Sequence, residues 1–291
     1  MKKNYCFLVA DKDIYFYQYE KNIFCPIKKG LFNRIVFLIL KKLNLPFPKF
    51  ILYENIFNYD RIIVTDSVAN ISLIKTLKKY YKNTDIFLYY MNVITENNKY
   101  LMELFQNNNI YTFDENDSWA HEIKFRHTPY SSNLPFKEGN RKYDTVFLGR
   151  AKNRIDEINR IIRAFDERKI KLKMLVLGAK NLEYSIDTYI SYEEYLEYIS
   201  NSITILEIIE VGQSGCTLRF MESLFLKKKL ITNNKDIVND LYYNNQNVFI
   251  LGVDSLDNLV NFINSPYEDE FSIQDLDFQN WISNFEGDTS V

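Results

Sequence analysis

Along this chain, runs of four to six β-branched and aromatic residues alternate with stretches of 3.6-residue apolar periodicity, the pattern of strands buried between helical layers. In the first half, YCFLVA (5–10), RIIVTD (61–66), DIFLYY (85–90) and IYTFD (110–114) predict strands. The intervening FNRIVFLILKKL (32–43), NISLIKTLKKYYK (70–82) and ENNKYLMELFQNN (96–108) predict helices. A polar stretch containing Pro and Gly, residues 128–142, is the natural linker. The pattern then restarts. Strands are expected at 145–150, 173–178, 203–209, 229–234 and 248–252, with helices over 153–168, 191–200, from about 217 to the lysines 227–229, whose charge is expected to complement the helix C-terminus, from about 236, and over 254–264. Such alternation predicts the α/β class with two Rossmann-like domains, each an open parallel sheet covered by helices, which binds ligands beyond the carboxyl ends of its strands. Expected boundaries are 1–138, 139–270, and a C-terminal helical segment, 271–291, that has no strand after it and can pack back across the first domain.

Composition narrows the partners. The chain has 291 residues, enough for two ordinary cores, and its 36 basic against 38 acidic residues give a net charge of −2, so nothing marks it as a nucleic-acid binder. The charge is unevenly spread: seven cations and no acid lie between Glu20 and Glu54, and eleven acids and no base follow Lys235. Three cysteines, without metal spacing or an even count, fit a reducing cytoplasm. The N-terminus reads as a first strand instead of a signal peptide, and no apolar run is long enough to span a bilayer.

Chemistry concentrates in EVGQSGCTLRFMES (210–223), where two of only eight glycines sit at a strand-to-helix junction. Amide N–H groups and the positive end of a helix dipole converge there, the arrangement that binds phosphate. Gly215 permits close approach, Ser214 and Thr217 offer hydroxyls, Arg219 a charge, and Glu222 a carboxylate one to two turns on. A glycine at a helix start is equally a simple cap. In VFLGR, Gly149-Arg150 places a guanidinium at a strand's carboxyl end, with Arg154 one turn later; solvated helix-start arginines look the same.

Together VFLGR, SYEEYLEYISNSITILEI, GQSGCTLRFMESLFLKKKLITNN and YTFDENDSWA resemble bacterial surface-polysaccharide glycosyltransferases of the GT-B fold, most strongly over 145–250 and weakly over the first 60 residues. The resemblance implies two Rossmann-like domains facing a central cleft. It also implies a cytoplasmic, metal-independent enzyme without a cofactor, taking sugar from a UDP-linked donor to a surface-glycan or lipid-linked acceptor. By it, Gly149, Arg150 and the amides of Gly215, Cys216 and Thr217 meet the diphosphate, with Ser214 and Arg219 beside them. Glu222 meets the ribose, Tyr192 the base and Gln213 the sugar. Many retaining families carry a second glutamate eight positions before the ribose one; here that position is Ser214, which favours inversion. The acceptor-side base is then sought at the first domain's strand ends: Asp11 and Asp66 first, Glu96 after them, each equally a helix cap. A sugar-nucleotide epimerase and a non-catalytic partner subunit remain open alternatives.

Two further features need weighing. Asp-Glu-Asn-Asp (114–117) has the look of a metal site but reads as a helix cap, and His121 and His127 lack a third ligand. Residues 28–49 bracket an apolar core with lysines, a pattern for peripheral attachment to an anionic membrane on its inner face, or for a core helix with lysine-rich ends.

Overall fold

The computed structural model describes residues 4–10, 19–80, 84–151, 153–179, 182–210 and 213–285, without the side chain of Phe57. The chain divides into two compact units, residues 1–133 with 274–291, and residues 134–273. Asp11 and Gly212 lie outside the described residues.

The first unit runs β1 (Tyr5–Leu8), β2 (Ile23–Phe24), α1 (Leu31–Lys42), β3 (Arg61–Thr65), α2 (Ile71–Tyr80), β4 (Asp85–Tyr90), β5 (Ile110–Thr112), α3 (Glu115–His121) and β6 (Lys124–Phe125). Its sheet has the order β2-β1-β3-β4-β5-β6, all parallel. Residue alternation splits each strand between two faces. Cys6, Leu8, Ile62, Val64, Ile86 and Leu88 enter a core with Leu73, Ile74 and Leu77 of α2. Phe7, Phe87 and Tyr89 point the other way.

The second unit runs β7 (Tyr143–Arg150), α4 (Ile155–Asp166), β8 (Leu172–Leu177), β9 (Ser185–Ile186), α5 (Tyr192–Ser200), β10 (Ser202–Glu207), α6 (Leu218–Phe225), β11 (Lys229–Thr232), β12 (Val248–Ile250) and α7 (Leu259–Asn264). The sheet order is β12-β11-β10-β7-β8-β9, again all parallel. Phe147, Val176, Leu206, Ile231 and Phe249 pack with α4 and α7 on one face; α5 and α6 lie against β10. The protein is therefore α/β with two six-stranded parallel sheets, as the alternating pattern predicts.

The last helix, α8 (Phe278–Ser283), closes the free face of the first sheet. Trp281 packs edge-on to Phe7 and Tyr89, with ring centroids 5.6 and 4.9 Å away, and Phe285 stands 4.6 Å from Tyr111. Carbonyls left over at the helix end find donors: Tyr5 Oη to Ser283 O at 2.7 Å, Arg126 Nη2 to Trp281 O at 2.6 Å, and Arg61 Nη1 to Phe285 O.

Three expectations from the sequence change. In place of a helix over 96–108 there are only 3₁₀ turns at Lys99–Leu104 and Asn107–Asn109. Asparagine side chains compete with the helix there: Asn98 Oδ1 accepts from Thr95 N at 2.7 Å and its Nδ2 donates to Val93 O at 3.2 Å. The helix from 236 is a 3₁₀ turn, Asp236–Asn239. Finally, Lys227 to Lys229 do not serve the end of α6. Lys227 pairs with Asp269, Lys228 with Glu138 at 2.7 Å, and Lys229 opens β11 and donates to Phe262 O at 2.9 Å. Among the described residues no helix is long and apolar enough to cross a membrane.

Candidate functional site

In the second sheet the chain winds outward from β7 through β8 to β9, then crosses back to β10 on the other side of β7. The carboxyl ends of β7 and β10 are thus the topological switch point, where neighbouring connections diverge and leave room for a ligand. Two arginines brace it. Arg154 donates to Ile208 O, just past β10, and to Arg150 O on β7 at 2.7 Å. Arg219, from the first turn of α6, donates to Leu148 O on β7. Burial lowers the Arg154 pKa, opposed by Glu210 and reinforced by the nearby Arg219. The edge therefore carries positive charge held by backbone carbonyls. Gly149 lies between the braces, and a Cβ there would come 2.6 Å from Cζ of the buried Phe147, so any larger residue must displace that ring. Arg150 is exposed, with its guanidinium 5.4 Å from the centre of the Tyr189 ring.

The mouth of α6 contains a carboxyl group of its own. Thr217 is its N-cap: the hydroxyl accepts from Arg219 N at 3.0 Å and donates to Glu207 Oε1. Glu207, at the end of β10, is 2% exposed and also accepts from Thr232 Oγ1 at 2.5 Å. Burial pushes its carboxyl pKa up, against the two hydroxyls and Arg219. Glu222, one turn further along α6, is 0% exposed and accepts from Tyr192 Oη at 2.8 Å and Tyr195 Oη at 3.3 Å. Its pKa is pushed up to about 7 by burial, offset in part by Arg219 and the tyrosines.

Of the residues singled out by sequence, Gly149 and Arg150 stand at the carboxyl end of β7, Thr217 and Arg219 join the start of α6 to β10 and β7 through Glu207 and Leu148 O, and Ser214, Gly215 and Cys216 form the segment before α6, on the side of residues 234–240. Some of their groups are committed already: Cys216 Sγ contacts Asp240 Oδ2 at 3.1 Å, and the backbone carbonyl of Ser214 accepts from Asn234 Nδ2 at 3.1 Å. Gln213 N donates to Glu210 O at 3.2 Å. Tyr192 and Glu222 meet each other inside the α5–α6 layer, so in this structure their polar atoms serve the interior. Asp66 sits at the end of β3 in the first unit, where Met91 N and Asn92 Nδ2 donate to its two oxygens at 2.8 and 2.9 Å. Asp114 caps α3 by accepting from Asp117 N at 3.2 Å, as its sequence context suggests, and Asp117 accepts from Ile94 N at 2.7 Å. Glu207 was not foreseen. Its signal is an acid closing an otherwise apolar strand, but the hydroxyls that hold it come from positions 10 and 25 residues away.

No protein-family model and no curated protein sequence matches the chain. Among solved structures, one similar in outline is a β-glucosyltransferase, a DNA-modifying enzyme determined with and without its substrate uridine diphosphoglucose. The overlap spans 96% of this chain and 94% of that one, at 15% identity and a TM-score of 0.46.

Proposed function

We propose that the protein is a glycosyltransferase of GT-B type that binds a UDP-sugar at the carboxyl edge of β7 and β10 and passes the sugar to a surface-glycan or lipid-linked acceptor. One observation carries this reading: guanidinium groups converge at the switch point ahead of the α6 N-terminus. On this reading Arg150 and the backbone of residues 213–216 meet the diphosphate, where positive charge stabilises the leaving group as the glycosidic bond breaks. Arg154 and Arg219 hold that edge in shape. Thr217, Glu207, Glu222 and Tyr192 form the buried frame that fixes α6, a supporting role in place of direct ribose contact. The first unit supplies the acceptor side, with Asp66, or Asp11 outside the described residues, as the base that takes the acceptor proton. No metal step is needed.

The same reading seats the first unit on an anionic membrane through α1. Half of the exposed large apolar side chains among the described residues, eight of sixteen, lie between Leu31 and Phe50. Leu31, Ile35, Leu38 and Ile39 share the outward face of α1, while Val36, Phe37 and Leu40 pack against the core. Lysines flank that face, the charge complement of acidic lipid.

UDP is expected to raise the melting temperature, and Arg150→Ala to abolish that rise while the unliganded transition stays in place. An unchanged UDP response in Arg150→Ala would remove the donor assignment. Phe32→Asp with Leu38→Asp is expected to end capture by phosphatidylglycerol vesicles, and full capture by that variant would remove the membrane assignment.

A further inference from the structure

The first sheet has its own switch point, between β1 and β3, where the chain leaves toward β2 on one side and β4 on the other. A cavity of about 810 Å³ opens there, a volume within the roughly 300–1,000 Å³ usual for small-molecule sites. Its floor is Ala10 and Ser67, just past the two strands, and the start of α2; its wall is the segment 25–30 and one flank of α1.

The lining is charged with one sign. Lys28, Lys29, Arg34 and Lys41 line the cavity, and no acid is among the described lining residues. Arg34, Phe37 and Lys41 are spaced i, i+3, i+7, so one helical stripe delivers two cations and a ring to the same wall. Lys28 is paired with the exposed Glu54 at 3.4 Å; no ion pair to Arg34 or Lys41 forms among the described residues. At the floor, Ser67 Oγ accepts from Ala10 N at 3.2 Å and lies 2.8 Å from Thr65 Oγ1. Asn70 caps α2 by accepting from Leu73 N at 3.0 Å, and the first turn of that helix carries no acid. Cations gathered around one cavity repel each other until an anion joins them, and a helix start adds to that preference.

We propose that this cavity binds a phosphorylated ligand, a phosphomonoester or diphosphate, held by Arg34, Lys41, Lys28 and Lys29. On the glycosyltransferase reading, on which this assignment of role rests, the ligand is the acceptor, and its phosphate is what the first unit recognises. The phosphate can belong to a lipid headgroup or to a soluble phosphoester.

The test is isothermal titration of the full chain with inorganic pyrophosphate in an Arg150→Ala background, which removes the proposed donor diphosphate site, with and without Arg34→Gln/Lys41→Gln. Both cations are exposed, and circular dichroism checks that the double variant and the triple variant fold. Pyrophosphate binding is expected to persist in Arg150→Ala and to weaken about tenfold or more when Arg34→Gln/Lys41→Gln is added, the scale of hydrogen bonds to charged groups. Equal affinity in Arg150→Ala and the triple variant, or no binding in Arg150→Ala, overturns the proposal. Sources separate in a second arm with vesicles of phosphatidic acid, whose headgroup is a phosphomonoester: pyrophosphate that displaces the protein from them identifies a lipid headgroup, and binding that leaves vesicle capture intact identifies a soluble ligand. UDP stabilisation should be the same in the double variant; its absence from every form would end the donor reading and leave this site standing.

Discussion

Both units wind a six-stranded parallel sheet outward from a central pair of strands, yet they close one face of it with opposite materials. On the first sheet, Phe7, Phe87, Tyr89 and Tyr111 meet Phe278, Trp281 and Phe285 of the returning tail, a wall of rings in T-shaped and tilted contacts. On the second, the layer of α5 and α6 encloses two glutamates with the hydroxyls of Thr217, Thr232, Tyr192 and Tyr195. Rings seal by excluding water and do not titrate in the neutral range. Buried carboxylates stay satisfied only while donors and a neighbouring cation face them. A shared topology therefore leaves the first unit's stability dependent on packing and the second's on protonation.

That contrast can be broken at several points. Trp281→Ala, which empties a site 1% exposed, is expected to cost about 3–5 kcal/mol. Hydrogen exchange should then speed up in the first sheet while the second keeps its protection, and equal loss in both would deny the tail a unit-specific role.

Glu222 sets the next largest effect. Its folded carboxyl binds a proton more tightly than the usual value of 4.5, up to about 7. Ionisation therefore costs stability: the contribution is full below the unfolded pKa and is lost as pH rises through the folded one. At 1.36 kcal/mol per pKa unit, roughly 3 kcal/mol is lost across that window. Glu207 adds a loss of the same sign. Urea unfolding at pH 5 and pH 8 should show a smaller drop in Glu222→Gln than in wild type, and identical drops would contradict the assignment. Arg219→Ala removes the bond to Leu148 O and the cation beside both glutamates; about 2 kcal/mol of destabilisation is expected, along with a weaker UDP response. Chelation is the smallest effect. Sugar transfer should continue in excess EDTA, since Asp114 and Asp117 are occupied as a helix cap and a loop anchor, and loss of turnover would count against the metal-independent reading.

The physics of legibility follows the range of the interactions. Strands such as Asp85–Tyr90 and Arg61–Thr65 are plain in the sequence because their apolar runs are bounded by polar residues and need no distant partner to be recognised. Two-residue edge strands, Ile23–Phe24, Lys124–Phe125 and Ser185–Ile186, have no period to detect and exist only because a neighbouring strand offers hydrogen bonds. At the candidate site, glycine and arginine at strand ends are local signals, so Gly149, Arg150 and the 213–219 segment could be picked out. The commitments of their side chains could not, because Arg219 answers a carbonyl 71 residues away and Glu207 answers a hydroxyl 25 residues away.

By itself the sequence determined the α/β alternation, the two sheets, the helix starts marked by Asp114, Ser191 and Thr217, and the basic apolar stretch that became α1. Tertiary structure decided where charge ends up: two glutamates sealed under α6, arginines spanning β7 and β10, and four cations around one cavity. The reason is that hydrophobic period and capping are written in neighbouring residues, whereas the fate of a charge depends on which distant donors, carbonyls and volumes the fold brings beside it.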